Sequence, residues 1–177
     1  MPFTPFHMGL GLAAKAVAPR LVSLQVFGLA QVAMDVEPAI VMAMGKDALH
    51  GWTHTVWGAV PVALACVFTW RALEGRRIWR WTFERLSVQV LWVTSFVAVW
   101  SHVLLDALIH RDMGSTRALL PGLGDVFLSH DQVETACLVA AFVGLFALGV
   151  RPGLKAYFWA IWSNLREPVA WFRKPMR

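Results

Sequence analysis

Charge is scarce in this sequence. Only 15% of its 177 residues are Asp, Glu, Lys or Arg, while 58% are hydrophobic. Soluble domains run near 25% charged and about 45–50% apolar. With a mean hydropathy of +0.56, the composition excludes a freely solvated domain and indicates an integral membrane protein. Cysteine is also rare. Cys66 and Cys137 both lie in apolar segments, and neither belongs to a CxxC or has a partner at zinc-finger spacing. This excludes a disulfide framework and a thiolate metal site, and leaves two small buried side chains. The N-terminus has no basic region ahead of a small-residue cleavage site, so no signal peptide is expected to be removed. No internal repeat or low-complexity linker interrupts a length that suits one compact domain.

The net charge is +5. The basic excess sits in loops beside apolar segments, so topology and anionic lipid explain it without a nucleic-acid partner. Thr4-Pro5 is a helix start, with Thr at the cap and Pro at the first helical position; the helix is expected to reach Ala18, before Pro19. A second helix is expected from Leu21 through Asp35, kinked or ended by Pro38, with Ala39–Met44 apolar again and Gly45-Lys46-Asp47 a turn. A third begins near Asp47 or Thr53 and runs to Leu73, with a kink at Pro61. Residues 74–86 form a basic, Trp-bearing connection, and a fourth helix covers 87–110. Residues 111–130 have turn composition. Asp131 and Glu134 resemble a capping box for a fifth helix over 132–149, broken by Arg151-Pro152-Gly153.

The expected fold is therefore an all-α membrane bundle: a short N-terminal helical hairpin, about three transmembrane helices, and an interfacial C-terminal amphipathic helix. Residues 1–150 form the bundle and carry the site. Residues 151–177 are a basic, Trp-rich tail at the cytoplasmic interface, with Trp159, Trp162 and Trp171 as anchors. Aromatic belts account for most of the ten Trp.

What the chain does have is sorted by side. The Pro19 turn, the 71–86 connection and the tail hold 13 of the 16 basic residues. Lys46, Arg111 and Arg117 alone lie on the other face, with all six histidines and eight of the eleven acids. By the positive-inside rule the basic face is cytoplasmic, which predicts a multi-pass protein of a bacterial-type inner membrane with the histidines towards the outer face. At 1.5 Å rise per residue, His7, Asp35, His54 and His102 lie roughly 20–25 Å above the basic face, in the outer third of a hydrocarbon core about 30 Å thick. Four helices thus bring ligand-type side chains to one level. Ionisable groups at that depth are costly unless they bind a metal, a proton or each other.

His102-Val-Leu-Leu-Asp106 places an imidazole and a carboxylate on one helix face, and His110 continues the stripe to Asp112. The pair suits metal ligation; a His–Asp hydrogen bond between helices is the alternative. His50-Gly-Trp-Thr-His54 repeats the spacing at a helix start, where it serves equally as a chelating pair or as two unrelated histidines. Asp35-Val36-Glu37-Pro38 sets two carboxylates at the end of an apolar helix. One suits a ligand or bridge and the other a general base; two water-exposed acids are the alternative. His7, in the first helical turn, is a ligand or an exposed polar residue. Gln31, one turn before Asp35, can orient a ligand. His130 reads as a cap-region residue.

In this order, an early His after Thr-Pro-Phe, an acid-x-acid, His-Gly-x-Thr-His and Ser-His-x-Leu-Leu-Asp, the residues resemble the YdjM-like inner-membrane proteins. That family is described as membrane-bound metal-dependent hydrolases and is distantly similar to zinc-dependent phospholipase C and P1 nuclease. The resemblance covers roughly residues 3–112. It implies His7, Asp35, His54, His102 and Asp106 as metal ligands, with His50 and Glu37 close behind. The chain departs from the family's Pro-Asp-x-Asp at Met34-Asp35-Val36-Glu37, where the extra methylene of Glu37 shifts its carboxylate.

Histidine and carboxylate without cysteine suit zinc, with manganese or iron as alternatives, and the number of candidate ligands admits one ion or two. Asp35 and Glu37 are the expected catalytic residues; His7, Asp35, His50, His54, His102 and Asp106 are the expected ligands. The leading expectation is hydrolysis of a phosphoester or ester in a lipid or lipid-linked substrate. The rival is a non-catalytic accessory subunit of a larger membrane complex, in which the same layer holds a structural metal or a hydrogen-bond network and the 118–130 segment serves for docking. A metal or proton carrier would need a polar path through inner helix halves that are almost without ionisable groups.

Overall fold

A computed structural model describes residues 4–45, 50–78, 81–120, 122 and 126–166; for residues 4, 5, 81 and 154–166 the description is of the backbone. Among these residues six α-helices follow in order: α1 (Thr4–Val17), α2 (Leu24–Ala43), α3 (Ala59–Leu73), α4 (Val88–Ile109), α5 (Gly114–Leu119) and α6 (His130–Arg166). A 3-10 turn, Trp52–His54, precedes α3. Arg77–Ile78 (β1) and Trp81–Thr82 (β2) pair as a short antiparallel ribbon. Three helices are long and apolar enough to cross a membrane: Leu24–Ala43, Val88–Ile109 and His130–Gly153. Ala59–Leu73 is apolar but shorter. The all-α membrane-type bundle expected from composition is what forms.

The helix starts follow local chemistry. Ser23 caps α2, its Oγ accepting from Val26 N–H, and Ser87 caps α4 in the same way with Val90. Thr94 ties the α1–α2 turn to α4: its Oγ1 accepts from Ser23 N–H at 3.0 Å and donates to Leu21 O at 3.1 Å. Lys15 Nζ donates to Pro19 O and Val22 O, both at 2.7 Å, closing the same turn on the basic side. Gly75, with φ +73°, ends α3 in the left-handed conformation that lets the chain turn into the ribbon.

The core lies between α2, α3 and α4, where Phe27, Ala30 and Met34 meet Ala59, Ala63 and Cys66, and Ala98, Val99 and Val103. Towards the basic face, Val26, Val67, Trp70 and Leu91 form a second layer. Contact between α1 and α6 is close because both carry glycine at the crossing. A Cβ at Gly9 would collide with the Cys137 carbonyl, and one at Gly144 would lie 2.7–2.8 Å from the Leu12–Ala13 backbone. Small residues at such crossings let membrane helices pack backbone to backbone. Outward on α6, Leu138, Phe142, Leu145 and Phe146 are exposed, as lipid-facing side chains are.

Several expectations change. Pro38 does not end α2; it sits buried inside a helix that continues to Ala43. Missing proline hydrogen bonds of this kind are tolerated in membrane helices where neighbours cover the freed carbonyl. Pro61 does not kink α3: it is the third helical residue, where the N–H would have no partner in the helix anyway. Residues 111–130 are not all turn, since α5 forms within them. The helix expected over 132–149 spans His130–Arg166 without a break at Arg151-Pro152-Gly153, about 55 Å of continuous helix. The Lys46-Asp47 part of the expected turn, Trp171 and the side chains of Trp159 and Trp162 lie outside the described residues.

Candidate metal centre

Five of the expected ligands meet at the end of the bundle away from the basic turn. His7 comes from the first turn of α1, Asp35 from α2, His54 from the 3-10 turn, and His102 and Asp106 from α4. His7, His54 and His102 are at most 1% exposed, and Asp106 is 3% exposed. His7, read from sequence as a ligand or an exposed polar group, is buried.

Asp106 is the centre of the cluster. Its Oδ2 lies 3.2 Å from His102 Nε2, 3.5 Å from His54 Nε2 and 3.6 Å from His50 Nε2, and its Oδ1 lies 3.9 Å from His7 Nε2. Asp35 Oδ1 is 3.3 Å from His102 Nε2, with its side chain 30% exposed at the edge of the group. The Nε2 atoms of His7, His54 and His102 are buried without a hydrogen-bond partner. Three imidazole nitrogens therefore face one carboxylate at separations mostly too long, or alignments too poor, for hydrogen bonds. A buried carboxylate in that condition is costly. Ligand atoms about 2.0–2.1 Å from a tetrahedral ion stand about 3.3–3.4 Å from one another. The spacing and the orphaned nitrogens both fit a cation held among these atoms. His7, His102 and Asp106 form one such ligand group and Asp35, His54 and His102 another, each with its ligand atoms within 4.8 Å.

Of the other ring nitrogens, His7 Nδ1 lies 3.2 Å from His102 Nδ1 within the group, and those of His102 and His54 also have partners outside it. His102 Nδ1 donates to Gln31 Oε1 at 2.7 Å, and Gln31 Nε2 donates to Ala98 O at 3.0 Å. That bond fixes the tautomer with a lone pair on Nε2, facing Asp106. His54 Nδ1 lies 3.1 Å from Thr53 Oγ1, and the Thr53 hydroxyl donates to Glu37 Oε2 in a short contact. Thr53 N–H donates to the same oxygen at 2.9 Å. Glu37, Thr53 and His54 thus form a relay that turns His54 Nε2 towards Asp106. Glu37 stands one hydroxyl away from the ligand histidine rather than at its Nε2. The extra methylene of Glu37 is what lets it reach the 3-10 turn. Thr116 Oγ1 donates to His54 O at 2.8 Å, so α5 braces the same turn.

His50 and His54 do not share a helix face, because the chain around them is a 3-10 turn and not the start of α3. Their rings still come within 4.9 Å. His50 is oriented by Asp112, whose carboxylate lies 3.0–3.1 Å from Nδ1 and accepts the backbone N–H at 3.1 Å. Burial opposes ionisation of Asp112, but the His50 N–H and ring hold its carboxyl below the ordinary 3.8. Nothing in the local sequence marks Thr53, Thr116 or Asp112, whose contacts join segments far apart in the chain. The stripe His102, Asp106, His110 was visible; that His130 lies across from it, with ring centroids 5.5 Å from His110, depends on the packing of α6.

No protein-family model, curated protein or solved structure matches this chain.

Proposed function

We propose that this chain is a membrane-embedded, metal-dependent hydrolase of the YdjM-like kind, acting on a phosphoester or ester of a lipid or lipid-linked substrate. The observation that carries the reading is the convergence of three buried, unpartnered imidazole Nε2 atoms on Asp106, with the partly exposed carboxylate of Asp35 beside them. His7, Asp35, His54, His102 and Asp106 would hold the ion. Their donor set suits zinc, with manganese or iron as alternatives. When bound, the ion supplies a Lewis acid that polarises the ester and its attacking water.

The protein's own groups do the rest. Asp35 is the partly exposed carboxylate that stands directly at a ligand histidine, 3.3 Å from His102 Nε2, while Glu37 is held by Thr53; in this reading Asp35 takes a proton from water as the water oxygen bonds to the phosphorus or carbonyl carbon. It returns the proton to the departing oxygen as the ester bond breaks. Gln31 fixes His102, and the Glu37–Thr53 pair fixes His54; both are positioning residues. The exposed apolar surface of α2, α4 and α6 keeps the centre at membrane depth, where a lipid headgroup can reach it. The charge distribution favours a bacterial-type inner membrane with the centre towards the outer leaflet.

The test is a phosphoesterase and esterase screen on the detergent-solubilised, metal-loaded protein, beside Asp35→Asn and Asp106→Asn. The reading expects turnover in the wild type, loss of turnover with weakened metal binding in Asp35→Asn, and loss of both turnover and metal in Asp106→Asn. Full metal content in Asp106→Asn would refute the assignment of the centre.

A further inference from the structure

The basic end of the bundle, away from the histidine cluster, holds a cavity that the hydrolytic chemistry does not use. Its volume is about 290 Å³, at the lower end of the range for small-ligand pockets, about 300–1,000 Å³. Lys15 and Arg20 line it from the end of α1 and the turn that follows, Leu24 and Gln25 from the start of α2, and Glu84 and Val90 from the stretch that enters α4. Two of the helices able to cross a membrane, α2 and α4, both begin here. The cavity therefore lies where the headgroups of one leaflet meet the ends of the spans.

Its lining carries both signs of charge. Lys15 Nζ donates to Pro19 O and Val22 O, both at 2.7 Å, so the ammonium is fixed in place with one of its three donors left. Arg20 adds a second cation. Leu24 and Gln25 are the first residues of α2, whose N–H groups have no acceptor within the helix, and the helix dipole favours negative charge there. Glu84 is the one carboxylate of the lining. In the same wall, Gln25 Oε1 is buried without a hydrogen-bond donor. Among the described residues none of Lys15, Arg20 and Glu84 is salt-bridged. An anion alone would satisfy the two cations and leave Glu84 facing a like charge. A phosphodiester that carries its own ammonium satisfies both parts.

We propose that this cavity binds the phosphoethanolamine headgroup of a membrane phospholipid, with the phosphodiester on Lys15, Arg20 and the start of α2 and the ammonium on Glu84. Val88, exposed at the start of α4, offers apolar surface to the acyl chains beside the headgroup. Arg76 and Arg77, on the ribbon before Glu84, attract lipid phosphates without regard to headgroup. The carboxylate is what makes the cavity selective.

The test uses the delipidated full chain in mild detergent, titrated with short-chain phosphatidylethanolamine, phosphatidylglycerol and phosphatidylcholine and with inorganic phosphate. Binding is read by native mass spectrometry and by thermal shift. The wild type should prefer the ethanolamine lipid to the glycerol lipid, which has no ammonium, and to the choline lipid, whose quaternary nitrogen donates no hydrogen bond. Inorganic phosphate should bind more weakly than any of them. Arg20→Gln should weaken the ethanolamine lipid about fivefold. Glu84→Gln should abolish the preference for ethanolamine over glycerol. Both residues are exposed, so neither substitution disturbs the core. Equal affinity for the three lipids, or a preference that survives Glu84→Gln, would overturn the proposal, as would wild-type affinity in Arg20→Gln. A preference for the glycerol lipid would make the cavity an anionic-lipid site and overturn the role of Glu84. Inorganic phosphate bound as tightly as lipid would make it a soluble-phosphate site.

Discussion

Thr53→Val isolates the link between Glu37 and His54. Valine keeps the branched shape and the backbone N–H, so the 2.9 Å bond from Thr53 N–H to Glu37 remains. What disappears is the hydroxyl that accepts from His54 Nδ1 at 3.1 Å and donates to Glu37. His54 Nδ1 would then be 3.9 Å from Glu37 Oε2 with a methyl in place of the bridging hydroxyl. Removing a partner of this kind from a metal-ligating histidine weakens metal binding about 10–100-fold, or about 1.4–2.7 kcal/mol. The fold should lose less, about 0.5–1.5 kcal/mol for one hydrogen bond at the edge of the bundle. The assay is competition for zinc against a chromophoric chelator, run beside thermal melts of the chelator-stripped protein. Thr53→Ser restores the hydroxyl and should restore affinity. Wild-type affinity in Thr53→Val would refute the relay. A fall in affinity matched by an equal loss of stability in the metal-free protein would show that the turn, not the ligand, had been damaged.

Other perturbations separate parts of the account. Gly9→Ala should destabilise by about 1–3 kcal/mol or more, because the new methyl meets the Cys137 backbone, which cannot move without parting α1 from α6. Gly149→Ala on the same α6 has open space around its Cβ and should be neutral or stabilising by up to about 1 kcal/mol through helix propensity; melts in detergent compare the two, and an equal response would contradict the close crossing. Glu74 accepts from Leu86 N–H at 3.0 Å and from Arg71 at 2.8 Å, contacts that hold its carboxyl below the ordinary 4.5. Its folded value being depressed, its contribution is present above pH 4.5 and is lost as pH falls through the folded value. The protection of the Leu86 amide, its exchange rate corrected for the intrinsic pH dependence, should therefore fall on acidification below that pH in the wild type, and be already low and insensitive to pH in Glu74→Gln.

Much of this arrangement was legible in the residues. The segregation of basic residues from histidines and acids, with the helix rise, points to one end of the bundle. The stretch 87–110 reads as a helix almost to the residue, against an observed Val88–Ile109, because serine caps its start and the apolar run is uninterrupted. Glu37 was less legible: sequence makes it a candidate base, while the structure puts its carboxylate on Thr53. That contact joins α2 to a turn sixteen residues later, which no local pattern encodes. The His50/His54 spacing suggests a helix face for a similar reason. The turn is held in 3-10 form by tertiary partners, Glu37 from α2 and Thr116 from α5. Proline was a mixed guide: α1 starts at Thr4-Pro5 and ends before Pro19 as expected. Pro38 and Pro152, by contrast, both lie inside helices that continue past them; in membrane helices neighbouring helices and local backbone adjustment re-satisfy the groups a proline frees.

The most direct test of the central claim is the metal content of the wild-type protein, purified in mild detergent without chelator and measured by elemental mass spectrometry beside a His102→Ala/Asp106→Ala double variant. The account predicts at least one zinc, manganese or iron ion per chain in the wild type and none in the double variant. A wild type that holds no such ion, even after reconstitution, would contradict it and would make the histidine layer a hydrogen-bonded element of an accessory membrane subunit.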